Sequence, residues 1–178
     1  MQEVAAGIQA EQLAELLDPV MRRSVERGFA EAHADEGTIW LLDGPGENLV
    51  PAYNTGPDAG RFVGQFKQPL GTGLISMVFA SEQPFLENEV WRNDQQSRLL
   101  DALLKVQTCA MIAVPFYFVR RCRGVISCVQ LRRADDRREE EPGGFGREHL
   151  ESIQQVGALL TRLIDLLLLS RAVGWGND

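Results

Sequence analysis

Apolar positions recur every three or four residues at both ends of this chain and crowd together through its middle. Near the start, Leu13, Leu16, Leu17, Val20, Met21 and Val25 form one stripe, with Gln12, Glu15, Arg22, Arg23 and Glu26 on the opposite side. That spacing predicts an amphipathic helix over 9–33. Pro19 falls inside the pattern and lacks a backbone donor, so a kink or an interrupted start is expected there. A second helix is expected over 147–171. It carries one stripe at Leu150, Ile153, Gly157, Leu160, Ile164 and Leu167, and another at Val156, Leu159, Leu163 and Leu166. One stripe can cover a sheet, whereas the other needs the N-terminal helix, a second subunit, or both.

The middle of the chain, 35–133, reads as strands. Thr38 to Leu42 is rich in β-formers and ends at Asp43-Gly44-Pro45-Gly46, a strong turn signal, with Leu49 to Asn54 returning. Met111 to Val119 is almost continuously apolar; Arg120-Arg121 makes a tight turn, and 123–131 runs back. Strands this apolar are covered on both faces. The terminal helices supply one cover. Short helical stretches at 74–80 and 96–106 supply the other, which predicts an α+β fold with an antiparallel sheet. The segment 134–146 is charge-rich and reads as a solvated loop.

The length of 178 residues suits one domain. Lys+Arg 18 against Asp+Glu 25 gives a net charge of -7, which argues against wrapping of nucleic acid. Two His and three Cys are too few for a zinc framework or an Fe–S cluster, and no cofactor is identified from the residues. An odd number of cysteines and an N-terminus unlike a signal peptide suggest a cytoplasmic protein. The most apolar run, 158–169, is interrupted by Arg162 and Asp165 and is shorter than the ~20 residues a bilayer crossing needs, so no membrane association is expected.

An ordered set of short motifs then resembles the GAF domain over roughly 35–168. Thr38-Ile39-Trp40-Leu41-Leu42-Asp43 resembles its first strand, and Pro69-Leu70-Gly71-Thr72-Gly73-Leu74-Ile75 its glycine-rich entry into a helix. Ser81-Glu82-Gln83-Pro84-Phe85 follows, then the hairpin pair Ala113-Val114-Pro115 and Arg123-Gly124-Val125-Ile126, then Phe145 before a long helix. PAS domains share much of this layout. The resemblance implies a GAF-like (profilin-like, PAS-related) central antiparallel sheet of about six strands. Long N- and C-terminal helices would lie on one face, with a pocket formed by short helices and loops on the other.

It also implies a non-catalytic sensory or regulatory module. Such a module binds a small molecule, forms a homodimer through its terminal helices, and serves an output domain such as a kinase, cyclase, phosphodiesterase or transcription activator. The expected ligand-binding residues are Thr38, Trp40, Tyr53, Asn54, Phe62, Leu74, Ile75, Ser97, Asp101, Thr108 and Ser127, with Phe66 and Leu99 as further walls. The expected dimer interface is Leu13, Leu17, Val20, Ile153, Leu160, Ile164 and Leu167. The sequence departs from cyclic-nucleotide-binding relatives at Asn54 and Ser127, which replace acids, and at Val129-Gln130-Leu131-Arg132, which stands where their Asn-Lys signature begins.

Two other readings stand beside this one: a structural dimerisation module with a vestigial pocket, and a redox-active or free-amino-acid sulfoxide reductase type of GAF enzyme. For the latter, Cys122 lies among Arg120, Arg121 and Arg123, cations that lower a thiol pKa. Three Arg-x-x-Asp strings (Arg98…Asp101, Arg133…Asp136, Arg162…Asp165) have a spacing that contacts cyclic dinucleotides in some regulators. His33 and His149 have no Ser or Cys partner nearby in sequence, and catalysis is not expected.

Overall fold

Ile112, Val114, Phe116 and Phe118 pack on one side of a strand while Met111 and Ala113 pack on the other, and this alternation organises the whole molecule. The computed structural model describes Ile8 and residues 10–133 and 142–174. Most of the charged segment expected at 134–146 therefore lies outside the described residues, as does Gln9.

Six antiparallel strands form one sheet: β1 (Glu36–Leu42), β2 (Asn48–Asn54), β3 (Gln68–Pro69), β4 (Phe85–Glu87), β5 (Val106–Phe118) and β6 (Arg121–Arg133). Their order is β3-β2-β1-β6-β5-β4. The β5–β6 hairpin is the longest pairing, and β1 enters beside β6, with Thr38 opposite Ser127 and Trp40 opposite Val125. The apolar run in β5 thus extends further than its sequence signal, because Val106 to Ala110 pair with the end of β6. The edge strands β3 and β4 are two and three residues long, too short to show a period in sequence.

One face of the sheet is covered by the helices from both chain ends, α1 (Ala10–Leu16), α2 (Pro19–Glu31) and the 26-residue α5 (Arg147–Ala172). The single N-terminal helix expected is two. Asp18 stops the first and caps the second, its Oδ1 accepting the amides of Val20 and Met21 at 2.7 and 2.8 Å, with Pro19 at the first helical position. Leu13, Leu17, Val25, Phe29, Ile153, Leu160 and Ile164 meet Ile39, Leu41, Ile112, Val114, Ile126 and Cys128 in the larger core. Gly28 brings α2 against α5, since a Cβ there would lie 2.3 Å from Val156 Cγ2. The opposite face carries α3 (Leu74–Ser81), α4 (Leu99–Leu104) and the intervening loops, over Trp40, Leu49, Met111, Ala113 and Val125.

This arrangement corrects most of the expected dimer interface. Leu13, Leu17, Ile153, Leu160 and Ile164 are buried in the chain's own core, and Leu167 packs partly against it. Only Val20, at 60% exposure, stands free of the protein interior. The apolar surface of α5 that remains exposed is a different stripe, Leu159, Leu166, Leu169 and Val173. By length and composition alone, α5 is long and apolar enough to cross a bilayer. In this fold its stripe Ile153, Gly157, Leu160, Ile164 and Leu168 is buried.

Candidate functional site

Between the sheet and the α3–α4 side lies a cavity with about 620 Å³ of atom-free space counted out to its mouth; the centre of a water molecule can occupy about 60 Å³ of it. That inner space is enough for a few waters or a small organic molecule. Thr38, Trp40, Asn54, Phe62, Leu74, Ile75, Ser97, Asp101, Thr108 and Ser127, ten of the expected ligand residues, all line it. Strand alternation puts them there: Glu36, Thr38 and Trp40 share one face of β1, and Ser127, Val129 and Leu131 share one face of β6.

Two irregularities decide the rest. The β1–β2 register slips between Ile39 and Trp40, so that Tyr53 pairs with Ile39 and Pro51 with Trp40. The extra residue, Ala52, turns Tyr53 to the helix side and Asn54 to the cavity. Tyr53 is thus the one expected ligand residue that the fold removes. Its hydroxyl donates to Glu26 Oε1 at 2.5 Å, and burial together with that carboxylate pushes its pKa up to about 12. A second slip, between Thr108 and Ala110, lets Thr108 and Met111 face the cavity together although they are three residues apart. Of the further walls expected, Phe66 stands behind Trp40 in an edge-on contact at 6.2 Å, and Leu99 is exposed while Leu100 faces inward.

The polar side of the cavity is tightly bonded. Trp40 Nε1 donates to Ser127 Oγ at 2.9 Å, and Asn54 Nδ2 donates to Thr38 Oγ1 at 2.9 Å. Asn54 Oδ1 accepts the Gly56 amide at 2.7 Å. Asp101 receives both the hydroxyl and the amide of Thr108, at 2.8 and 2.9 Å, which pins α4 to β5. Gln68 Nε2 donates to the Thr72 carbonyl at 2.8 Å and so holds the glycine turn before α3. Gly73 at its end has φ +86, and a Cβ there would lie 2.8 Å from Ser97 Cβ, so only glycine suits the position.

Glu36 is the main feature the sequence reading missed. It is 4% exposed, contacts the Arg133 guanidinium, and lies 3.5 Å from Asn54 Nδ2. Burial pushes its carboxyl above the ordinary carboxylate range, against the pull of Arg133. Arg133 also bonds Asp58 Oδ2 at 2.9 Å, and Arg61, bonded to Asp58 Oδ1, donates to the Leu103 carbonyl at the end of α4. A chain of charges therefore runs from the end of β6 around the cavity mouth to α4. The signal for Glu36 lay in the same alternation that placed Thr38 and Trp40.

Among the described residues of the Arg-x-x-Asp strings, Asp101 alone lines the cavity. No cysteine lines the cavity. Burial pushes the Cys122 thiol up despite the neighbouring arginines, and Cys128 up to about 12, so neither is primed as a thiolate. Arg98 donates to the Trp91 carbonyl while Asp101 holds Thr108, and Asp165 accepts the Val119 amide at 2.7 Å. Asp136 lies outside the described residues. Among the described residues no group of three or more His, Cys, Asp or Glu side chains is placed to hold a metal ion.

No protein-family model matches the chain, and no curated protein matches it in sequence. Solved structures match it in fold. The GAF domain/HD domain protein from Geobacter sulfurreducens superposes with a TM-score of 0.65 at 13% identity, over 90% of this chain and 96% of that one. The GAF-B domain of DevS from Mycobacterium smegmatis gives 0.62 at 17% identity, over 86% and 96%. The chain therefore has the GAF fold, as its motifs led us to expect. Free methionine-R-sulfoxide reductase from Neisseria meningitidis also superposes, with a TM-score of 0.57 at 16% identity over 86% of this chain and 84% of that one. A second such reductase, from Thermoplasma acidophilum, does likewise. The expectation that the chain is not an enzyme is corrected by these neighbours, because its fold is one that enzymes share.

Proposed function

We propose that this chain, whose fold is that of the GAF domains, forms one sensory domain over 1–178 that binds a small molecule in the cavity beneath α3 and α4. The observation that carries this reading is the cavity itself. It combines the faces of Trp40 and Phe62 with the buried polar groups of Thr38, Asn54, Thr108 and Ser127, the mixture by which ligand pockets gain affinity and orientation. A domain with a vestigial pocket would have its own side chains in that space.

Transmission of occupancy has a physical route. The β5–β6 hairpin that floors the cavity is bonded to α5 by Asp165 and by Thr161, whose hydroxyl donates to the Tyr117 carbonyl at 2.6 Å. The stripe Leu159, Leu166, Leu169 and Val173 steps by seven, three and four residues and leaves an apolar edge on α5 for a second copy of the chain. A ligand with different affinities for two arrangements of this helix pair would shift the balance between them. The partners of this reading are a small molecule, a second copy of the chain, and an output domain of a signalling protein in the cytoplasm.

A thermal-shift panel of nucleotides, cyclic nucleotides, 2-oxo acids, tetrapyrroles and small amines tests the reading. A compound at a hundred times its Kd stabilises by about 2.7 kcal/mol. A saturable rise in Tm, lost in a variant whose cavity is filled, supports a sensor; no response to any class leaves a dimerisation module as the better description.

A further inference from the structure

We infer that the cavity selects a small flat molecule rich in hydrogen-bond donors, an amidinium or ammonium compound above all, and rejects carboxylates and phosphates of the same shape. This rests on the ligand-binding reading above and narrows it.

The charged groups in the wall are of one sign. Glu36 and Asp101 are the ionisable residues lining the cavity, and both are acids. The nearest guanidinium to Glu36, that of Arg133, is shared with Asp58, which also bonds Arg61, so these charges are matched in pairs and the Asp101 carboxylate stands beyond them in the wall. Arg61 adds a positive charge at the mouth, but its side chain is 51% exposed and it is tied to Asp58 and the Leu103 carbonyl. An anion entering past it meets two carboxylates and loses its hydration shell.

Neutral hydrogen bonding points the same way. The N–H donors of Trp40, Asn54 and Gln68 already serve Ser127, Thr38 and Thr72. The Glu36 and Asp101 carboxylates accept and do not donate, whereas the Thr38 and Ser127 hydroxyls, which take the Asn54 and Trp40 N–H groups, can both accept and donate. A ligand that brings N–H groups can meet the carboxylates and the hydroxyls alike, whereas a ligand that brings only acceptor oxygens can meet the hydroxyls but not the carboxylates. Trp40 supplies a buried ring beside the same acceptors, and a ring face also attracts a cation. At the glycine turn before α3, Ser97 and Gln68 stand close enough to Gly73 that a Cβ there would lie 2.8 and 3.2 Å from them.

The experiment uses benzamidine, benzamide and benzoate, which share one planar frame and differ in charge. Each is titrated into the full chain at pH 7.5. The indole N–H resonance of Trp40, identified by its loss in Trp40→Phe, and Tm are followed together. Benzamidine is expected to shift both saturably, with an affinity roughly tenfold or more above that of benzamide, and benzoate to shift neither. Glu36→Gln should lower the benzamidine affinity about tenfold and leave benzamide nearly unchanged. Asp101→Asn provides the same comparison if Glu36→Gln does not fold.

Benzoate binding as tightly as benzamidine overturns the inference, and so does the absence of response to all three. In either case the thermal-shift panel still decides whether a ligand of another class occupies the cavity, so the sensor reading fails or stands on its own result.

Discussion

The indole of Trp40 in β1 donates to the hydroxyl of Ser127 in β6 at 2.9 Å, with both side chains buried beneath α3 and α4. They are diagonal neighbours across the strand pair, since Trp40 stands opposite Val125 and Ser127 opposite Thr38. The bond fixes the ring against the sheet and leaves its face to the cavity. Replacing Ser127 by Ala strands a buried N–H, which costs about 1–3 kcal/mol. Urea denaturation should report that loss, and tryptophan emission should change because the ring loses its anchor.

A strained hairpin end is held by the long helix. Val119 and Arg120 have φ of 49 and 60, a left-handed turn that a β-branched residue rarely adopts. Asp165 Oδ1 accepts the Val119 amide in that turn at 2.7 Å. Asp165→Ala should destabilise the protein by about 1–3 kcal/mol. Faster amide exchange at Val119 and its neighbours should accompany the loss, and an unchanged exchange pattern would show that the turn does not depend on α5.

Glu36 makes stability depend on pH in a direction opposite to that of a carboxylate whose pKa is lowered on folding. Its pKa is raised on folding, so the folded state favours its protonated form. The stability it contributes is fully present below the ordinary value of 4.5 and is lost as pH rises through its folded pKa. Unfolding free energies of the wild type and of Glu36→Gln, measured by urea titration from pH 4 upward, should therefore diverge as pH rises from about 4.5. Gln carries no charge, so the variant should lack this decline; parallel curves would place the acid in water.

For self-association, the residues that matter should be those the fold leaves outside. Leu159→Asp with Leu166→Asp is expected to convert a dimer to a monomer without unfolding it, as read by light scattering after size exclusion. Ile164→Ala, by contrast, empties the protomer's own core and should cost about 2–5 kcal/mol whatever the oligomeric state. A wild type that is monomeric at all concentrations refutes the helix-pair route outright.

The resemblance to the GAF family made most of the cavity legible in the sequence, and strand alternation explains why those positions meet. Thr38 and Trp40 are two apart and share a face, and the glycine-rich turn placed Leu74 and Ile75 at the opposite wall. Tyr53 and Asn54 could not both face inward on a regular strand, and the slip at Ala52 chose Asn54; a single inserted residue leaves no periodic trace. Glu36 carried no mark of its own in the sequence because its partner, Arg133, stands on the neighbouring strand β6 but ninety-seven residues away along the chain. The helix stripes were read correctly as apolar, but which stripe meets the sheet depends on where α2 packs. Gly28 and Val156 settle that by close contact rather than by hydrophobicity.

The most direct test of a ligand-holding cavity is native mass spectrometry of the wild type and Leu104→Trp, purified side by side and exposed to the same compound panel. Leu104 lines the cavity from α4, and an indole in its place fills the hollow. The wild type should hold one small molecule per chain, carried from the cell or taken from the panel, and the folded Leu104→Trp variant should hold none. Equal adducts on both proteins, or none on either, would contradict the account.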